Sequence, residues 1–171
     1  MEYVLPDFDL VLKFHPGEFT QVNPEVNRLM VREAMRLLEP KPGEKIADLF
    51  CGIGNFSLPV ARKGAFVTGM ENNAVQVQTA IRNAEINGLT TLTQFIQEDL
   101  EKLSDERLQE FDKMILDPPR SGAAQVIKTL SDKGPKRILY VSCNPETLAR
   151  DTEVLVNQKG YVFKSCRLID M

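Results

Sequence analysis

Cys143 stands in Tyr140-Val-Ser-Cys-Asn-Pro-Glu146, where the apolar run Arg137-Ile-Leu-Tyr-Val gives way to Asn144 and Pro145. The run reads as a buried strand, and Asn followed by Pro reads as a helix N-cap with the residue favoured at the first helical position. The sulfur is therefore expected at a strand end beside a helix N-terminus. Unpaired backbone N–H groups and the helix dipole there favour the thiolate, the form of cysteine that attacks electrophiles. A lone cysteine that ends a strand is more often a small packed residue. The rest of the chain gives this one its chemical weight.

A second group lies in Asp48-Leu-Phe-Cys-Gly-Ile-Gly-Asn-Phe56, a strand running into a glycine turn and then a helix. Gly52 and Gly54 allow close approach of backbone to a ligand, but a dinucleotide fingerprint wants a third glycine or alanine where this chain has Ser57. Stronger is the set of acids that ends successive strands: Asp48, Glu71, Asp99 and Asp117. In a parallel sheet they converge on one crevice, and Glu71 falls where a ribose-binding acid belongs. Such a ring repels a pyrophosphate. It suits a ligand with ribose hydroxyls, amine donors and a positive centre, and S-adenosylmethionine has all three and no phosphate. Taken singly, any of these acids could be a solvated turn former.

The third group is Asp117-Pro-Pro-Arg120, a turn in which two prolines fix φ and hold the carboxylate in one geometry. It resembles the Asn/Asp-Pro-Pro-aromatic turn of amino-methylating enzymes, with Arg120 in place of the base-stacking aromatic residue. Cytosine-5-methyltransferases place a cysteine in this turn, and none is here. Cys143 remains as the candidate nucleophile.

The elements that must position these residues alternate. After a lead-in over 1–14 with a short strand near Asp9 to Phe14, helical periodicity runs from Pro24 to Leu38 and stops at Pro40-Lys-Pro-Gly43. Strands are then expected at Lys45–Phe50, Ala65–Met70, Leu92–Gln97, Phe111–Asp117, Arg137–Ser142 and Tyr161–Leu168. Helices are expected at Phe56–Arg62, Ala74–Asn87, Ala123–Leu130 and Pro145–Asn157. This order predicts a doubly wound, mostly parallel α/β sheet with sites at the carboxyl ends of its strands. A single domain is expected, with 1–40 as a strand-and-helix lead-in and 41–171 as the core.

Composition narrows the partners. A net charge of −3 and a pI near 5.3 argue against a broad basic face for nucleic acid, so any RNA affinity must be local or supplied elsewhere. Cys51, Cys143 and Cys166 lack zinc-ligand spacing and cannot pair evenly, which predicts reduced thiols, no metal and a packed Cys166. No apolar run reaches membrane-spanning length, and a cytoplasmic location without membrane contact is expected.

Phe19-Thr-Gln-Val-Asn23, Asp48 to Phe56, Asp117-Pro-Pro-Arg-Ser-Gly122 and Val141-Ser-Cys-Asn-Pro-Glu-Thr-Leu148 stand in an order that resembles the RNA uracil-5-methyltransferase family. Phe50-Cys-Gly is more similar to the branch acting on large-subunit ribosomal RNA than to the transfer RNA branch. The resemblance implies a Rossmann-like class I S-adenosylmethionine-dependent methyltransferase fold, an RNA partner and a covalent Cys143–C6 adduct with uracil. It also implies methyl-donor contacts at Gln21, Phe50, Gly52, Asn55, Glu71, Asp99 (with Glu98 as the adjacent alternative) and Asp117, and substrate contacts at Asp117 and Arg120. No residue matches the family's proton-abstracting glutamate, and the last strand of the sheet has no counterpart. A catalytic-domain fragment is therefore expected, unable to complete turnover, with an open sheet edge that invites self-association. The alternatives left open are an amino-methyltransferase, a nucleotide-binding oxidoreductase and a non-catalytic donor-binding or RNA-docking module.

Overall fold

A computed structural model of the chain describes residues 1–17 and 23–170. The chain opens with an antiparallel hairpin of β1 (Glu2–Leu5) and β2 (Leu10–Lys13), followed by α1 (Pro24–Leu38). It then alternates through β3 (Lys45–Leu49), α2 (Ser57–Arg62), β4 (Phe66–Glu71), α3 (Ala74–Ile86) and β5 (Thr93–Gln97). The second half supplies α4 (Asp105–Leu108), β6 (Lys113–Leu116), α5 (Ala124–Thr129), β7 (Arg137–Tyr140) and α6 (Pro145–Asn157).

Strands β3 to β7 form a parallel sheet in the order β5-β4-β3-β6-β7. The chain winds outward from β3 in one direction and from β6 in the other, so the switch point lies between them and a crevice opens at their carboxyl ends. β3 and β6 are central and apolar, with Asp48 as the one acid inside either strand. Side chains alternate across the sheet. Ile46 and Ile115 face the hairpin, α1 and α2, while Ala47, Leu49, Met114 and Leu116 face α5 and α6. The sheet is thus covered on both sides, the doubly wound α/β arrangement expected from the alternation.

The longer helices begin where the sequence says they should. The Asn23 carboxamide accepts N–H groups of Glu25 and Val26, Asn73 does the same for Val75 and Gln76, and Asn144 takes that of Glu146. The hairpin is tied to α3 by Asn83, which pairs with the backbone of Lys13 at 2.8 and 3.0 Å. No helix among the described residues is long and apolar enough to cross a membrane.

Two expectations need correction. The lead-in holds a hairpin rather than a single strand, because the short run Glu2–Leu5 finds its ladder only when β2 folds back on it. Tyr161–Leu168 is not a strand: alternation supplies the side-chain pattern, but a strand exists only with a ladder, and none is formed. The segment instead runs from α6 towards α1, with the Tyr161 hydroxyl donating to the carbonyl of Pro135 and Arg167 reaching Glu33. Cys166, expected to be packed, is exposed. Among the described residues the sheet ends at β7.

Gly69 on β4 lies in register with Asp48, and a Cβ there would come within 2.5 Å of the Phe95 ring and 2.9 Å of the Cys51 sulfur. Gly69→Ala is expected to destabilise the fold by about 1–3 kcal/mol through overpacking beneath the crevice. Urea unfolding monitored by circular dichroism checks this, and an unchanged midpoint would contradict it.

Candidate active site

At the end of β3 the backbone turns sharply. Phe50 takes a left-handed conformation (φ 64°) that a bulky residue rarely adopts, and Gly54 follows at φ 93°. The N–H groups of Phe50 and Cys51 both reach the Met70 carbonyl, at 2.9 and 3.2 Å. From the end of β4, the two oxygens of Glu71 accept the N–H groups of Gly52 (3.2 Å) and Asn73 (2.9 Å). One carboxylate thus laces the glycine turn to the start of α3 while its remaining lone pairs face the crevice.

Asn55 is held from an unexpected direction. Its carboxamide pairs reciprocally with that of Asn27 (2.9 and 3.0 Å) and accepts the Tyr3 hydroxyl at 2.7 Å. Burial pushes the Tyr3 pKa well up, so the hydroxyl stays a donor. Sequence reasoning missed both partners, though one signal existed: Asn27 lies on the apolar stripe of α1 and is 2% exposed.

The ring of acids is smaller than the sequence suggests. Glu71 and Asp117 face the crevice, and Asp99 lies at its rim. Asp99 caps the short 3₁₀ turn Leu100–Lys102 and pairs with Lys102 at 3.0 Å, which holds its carboxyl below the usual range. Asp48 is fully buried beneath the crevice floor rather than on it, because it sits inside a central strand and its side chain has no route past α2. Its Oδ2 accepts the Ser57 hydroxyl at 2.5 Å, and its Oδ1 has no partner. Ser57, the residue that departs from the dinucleotide fingerprint, is there to satisfy this acid. Burial pushes the Asp48 pKa up to about 7 against the Ser57 hydrogen bond, with repulsion from Asp117 and Glu71 adding to the shift. Burial alone raises Asp117 to about 7. Burial also pushes the Cys51 thiol up.

On the other side of the switch point, Asp117 leaves β6 and the turn continues through Pro118, Pro119 and Arg120. Cys143 is exposed at the entry to α6. Its neighbours are rigid: the Asn144 N–H donates to Ser142 Oγ at 3.0 Å, and the Asn144 side chain donates to the Arg120 carbonyl at 3.0 Å. Cys143, Asp117–Arg120, Phe50–Ile53, Asn55, Glu71 and Asp99 all lie along one broad, open cavity, which also runs past the edge strand β7 and the segment 160–169. Gln21 lies outside the described residues. Acids lie at the β4 and β6 ends with the carboxamides of Asn55, Asn72 and Gln76 near them, and an orphaned carboxylate oxygen lies just beneath. That donor set fits a cationic, hydroxyl-bearing ligand and disfavours a phosphate.

The family profile described as tRNA (uracil-5-)-methyltransferase matches residues 3–170. The chain belongs to this family. It is the family that the four sequence motifs resemble. Among the relatives, the 23S rRNA (uracil(1939)-C(5))-methyltransferase RlmD of Nitrosospira multiformis is 52% identical over 176 residues, covering 100% of this chain and 40% of the relative. The protein of the same name from Chromobacterium violaceum is 49% identical, covering 100% of this chain and 34% of the relative. The chain thus spans well under half the length of these relatives. Among solved structures, the Pyrococcus abyssi tRNA (uracil-54, C5)-methyltransferase in complex with S-adenosyl-L-homocysteine matches with a TM-score of 0.79 and 35% identity, over 90% of this chain and 37% of that one. The magnesium protoporphyrin IX methyltransferase of Synechocystis, 19% identical with a TM-score of 0.68 over 90% of this chain and 80% of that one, shares the fold. The sheet is a Rossmann-like methyltransferase fold.

Asp48 should leave a mark on stability. Its folded pKa of about 7 exceeds the ordinary value of 3.8, so its contribution is fully present below about pH 4 and is lost as pH rises towards 7. The melting temperature of Asp48→Asn minus that of the wild type is expected to grow from pH 5 to pH 8 by roughly 3 °C or more, about 1 kcal/mol for a domain of this size. Differential scanning calorimetry across that range reads the gap, and a gap that stays constant or shrinks would refute an uncompensated buried carboxyl.

Proposed function

We propose that this chain is the donor-binding and nucleophile-bearing part of an S-adenosylmethionine-dependent enzyme that methylates C5 of a uridine in large-subunit ribosomal RNA. The observation that carries the proposal is the position of Cys143, exposed at the head of α6 and facing the same cavity as the acidic ends of β4 and β6. The names borne by relatives about half identical over the whole chain support the ribosomal substrate, and such a substrate implies a cytoplasmic enzyme.

When bound, S-adenosylmethionine supplies an electrophilic methyl group on a sulfonium. Glu71 would hold its ribose hydroxyls, with the Phe50–Gly52 backbone against the nucleoside and Asn55, Asp99 and Asp117 completing the wall; Gln21 joins this set on the family motif. The acids that line the cavity, Glu71 and Asp117, would supply the negative side for the sulfonium. Uracil C5 is a weak nucleophile, so the Cys143 thiolate adds to C6 and the electron pair of the C5–C6 double bond moves onto the O4 enolate, making C5 nucleophilic. After methylation a base takes the C5 proton, the sulfur–C6 bond breaks, the double bond re-forms and the thiolate is restored. Asp117 and Arg120 would orient the pyrimidine. Because a stacked base shields both faces, the uridine must be turned out of its helix to reach the sulfur.

Cys143→Ala in the full-length protein is expected to abolish the covalent adduct with 5-fluorouridine-substituted ribosomal RNA while shifting donor affinity less than about two-fold, because the thiol adds only to the pyrimidine. Denaturing electrophoresis reads the adduct and calorimetry reads the donor. An adduct in the variant would remove Cys143 from its role.

A further inference from the structure

The buried acid Asp151 on α6 belongs to none of the four motifs, and it is 1% exposed. Its Oδ2 accepts the Ala123 N–H at 2.8 Å and the Tyr140 hydroxyl at 2.6 Å, while its Oδ1 accepts Arg150 Nε at 2.9 Å. Each partner belongs to a different piece of the site. Ala123 ends the turn that begins at Asp117. Tyr140 is the last residue of β7, three positions before Cys143. Arg150 extends from α6 to donate to the Ser121 carbonyl at 3.0 Å. Asn144 and Thr147 add two further bonds from the head of α6 to the Arg120 carbonyl, at 3.0 and 3.2 Å. The fit leaves no slack: Gly122 has φ 81°, and a Cβ there would lie 2.6 Å from Arg150 Nη2 and 2.7 Å from Asp151 Oδ2.

We propose that Asp151 is a positioning residue that clamps the strand and helix flanking Cys143 onto the Asp117–Arg120 turn, and so fixes the gap into which a pyrimidine must fit. The inference rests on the uracil-addition reading above. A buried carboxylate with a hydroxyl, a backbone amide and a guanidinium all donating to it is satisfied on both oxygens, which makes the junction stiff. Burial, and then Asp151 itself, raises the Tyr140 pKa, so the hydroxyl remains a donor to the clamp. Asparagine cannot replace the acid here. Whichever way its amide turns, an NH₂ group faces a donor: Ala123 and Tyr140 on one side or Arg150 on the other. Among the described residues Phe50 to Asn55 and Glu71, which make most of the donor wall, share no hydrogen bond with this network, and Asp117, at the far end of the clamped turn, is held separately by its N–H to the Leu49 carbonyl at 3.3 Å.

The test is single-turnover adduct formation with 5-fluorouridine-substituted ribosomal RNA in the full-length protein, using Asp151→Asn and the milder Tyr140→Phe, which keeps the ring and removes one bond. Adduct formation is expected to slow about ten-fold or more in Asp151→Asn and about three-fold in Tyr140→Phe, since small misplacements of reacting atoms cost orders of magnitude in rate. Donor and RNA affinities should hold within about two-fold, a split that general loss of structure would not give. Unchanged adduct rates in both variants would overturn the inference alone. So would a loss of rate matched by an equal loss of donor affinity. Failure of the wild type to form any adduct would overturn the uracil reading, and the inference with it.

Discussion

Parallel pairing of β3 with β4 on one side and β6 on the other is the constraint from which the site follows. Parallel strands cannot be joined by a tight turn, so every connection must return to the starting edge of the sheet, and every strand then finishes on the same side. Glu71, Asp99, Asp117 and Cys143 come from separate stretches of chain, yet each stands at or just beyond the end of a strand. The crossover helices bury the sheet on both faces and leave that one edge as the place where polar groups can face a ligand. Moving a functional group there needs only a change in a connecting loop.

Charge distribution then decides what the edge can hold. Among the described residues the acids near the switch point form no ion pair, and the deepest of them, Asp48, keeps a single hydroxyl as company. Burial without a counter-charge raises both Asp48 and Asp117 to about 7, far above the ordinary carboxylate value. The left-handed Phe50 is a second strained feature in the same turn. Two unfavourable local choices, both adjacent to the crevice and both inside an otherwise consistent α/β pattern, set this turn apart from the rest of the fold.

Local signals were legible in the sequence and long-range ones were not. Asn144-Pro145 announces the start of α6 because capping is a contact between near neighbours. The strand-end acids and Cys143 could be read from their places after apolar runs. Asp48 was misplaced by one layer, since periodicity does not reveal whether an acid inside a strand points to the crevice or below it. The lack of a ladder for Tyr161–Leu168 and the Asp151 network were out of reach for a different reason: both depend on which distant groups of the chain tertiary structure does or does not bring together.

The reciprocal carboxamide pair of Asn27 and Asn55 works only while both members remain amides. Asparagine slowly hydrolyses as proteins age, and conversion of either residue to a carboxylate would set two acceptors against one another where one donor and one acceptor now meet. The glycine turn would lose one of the two bonds that tether it to α1 without any change in the core. Where Asn27 is the residue converted, chemical ageing would reach the crevice from α1 through a side chain that does not line it.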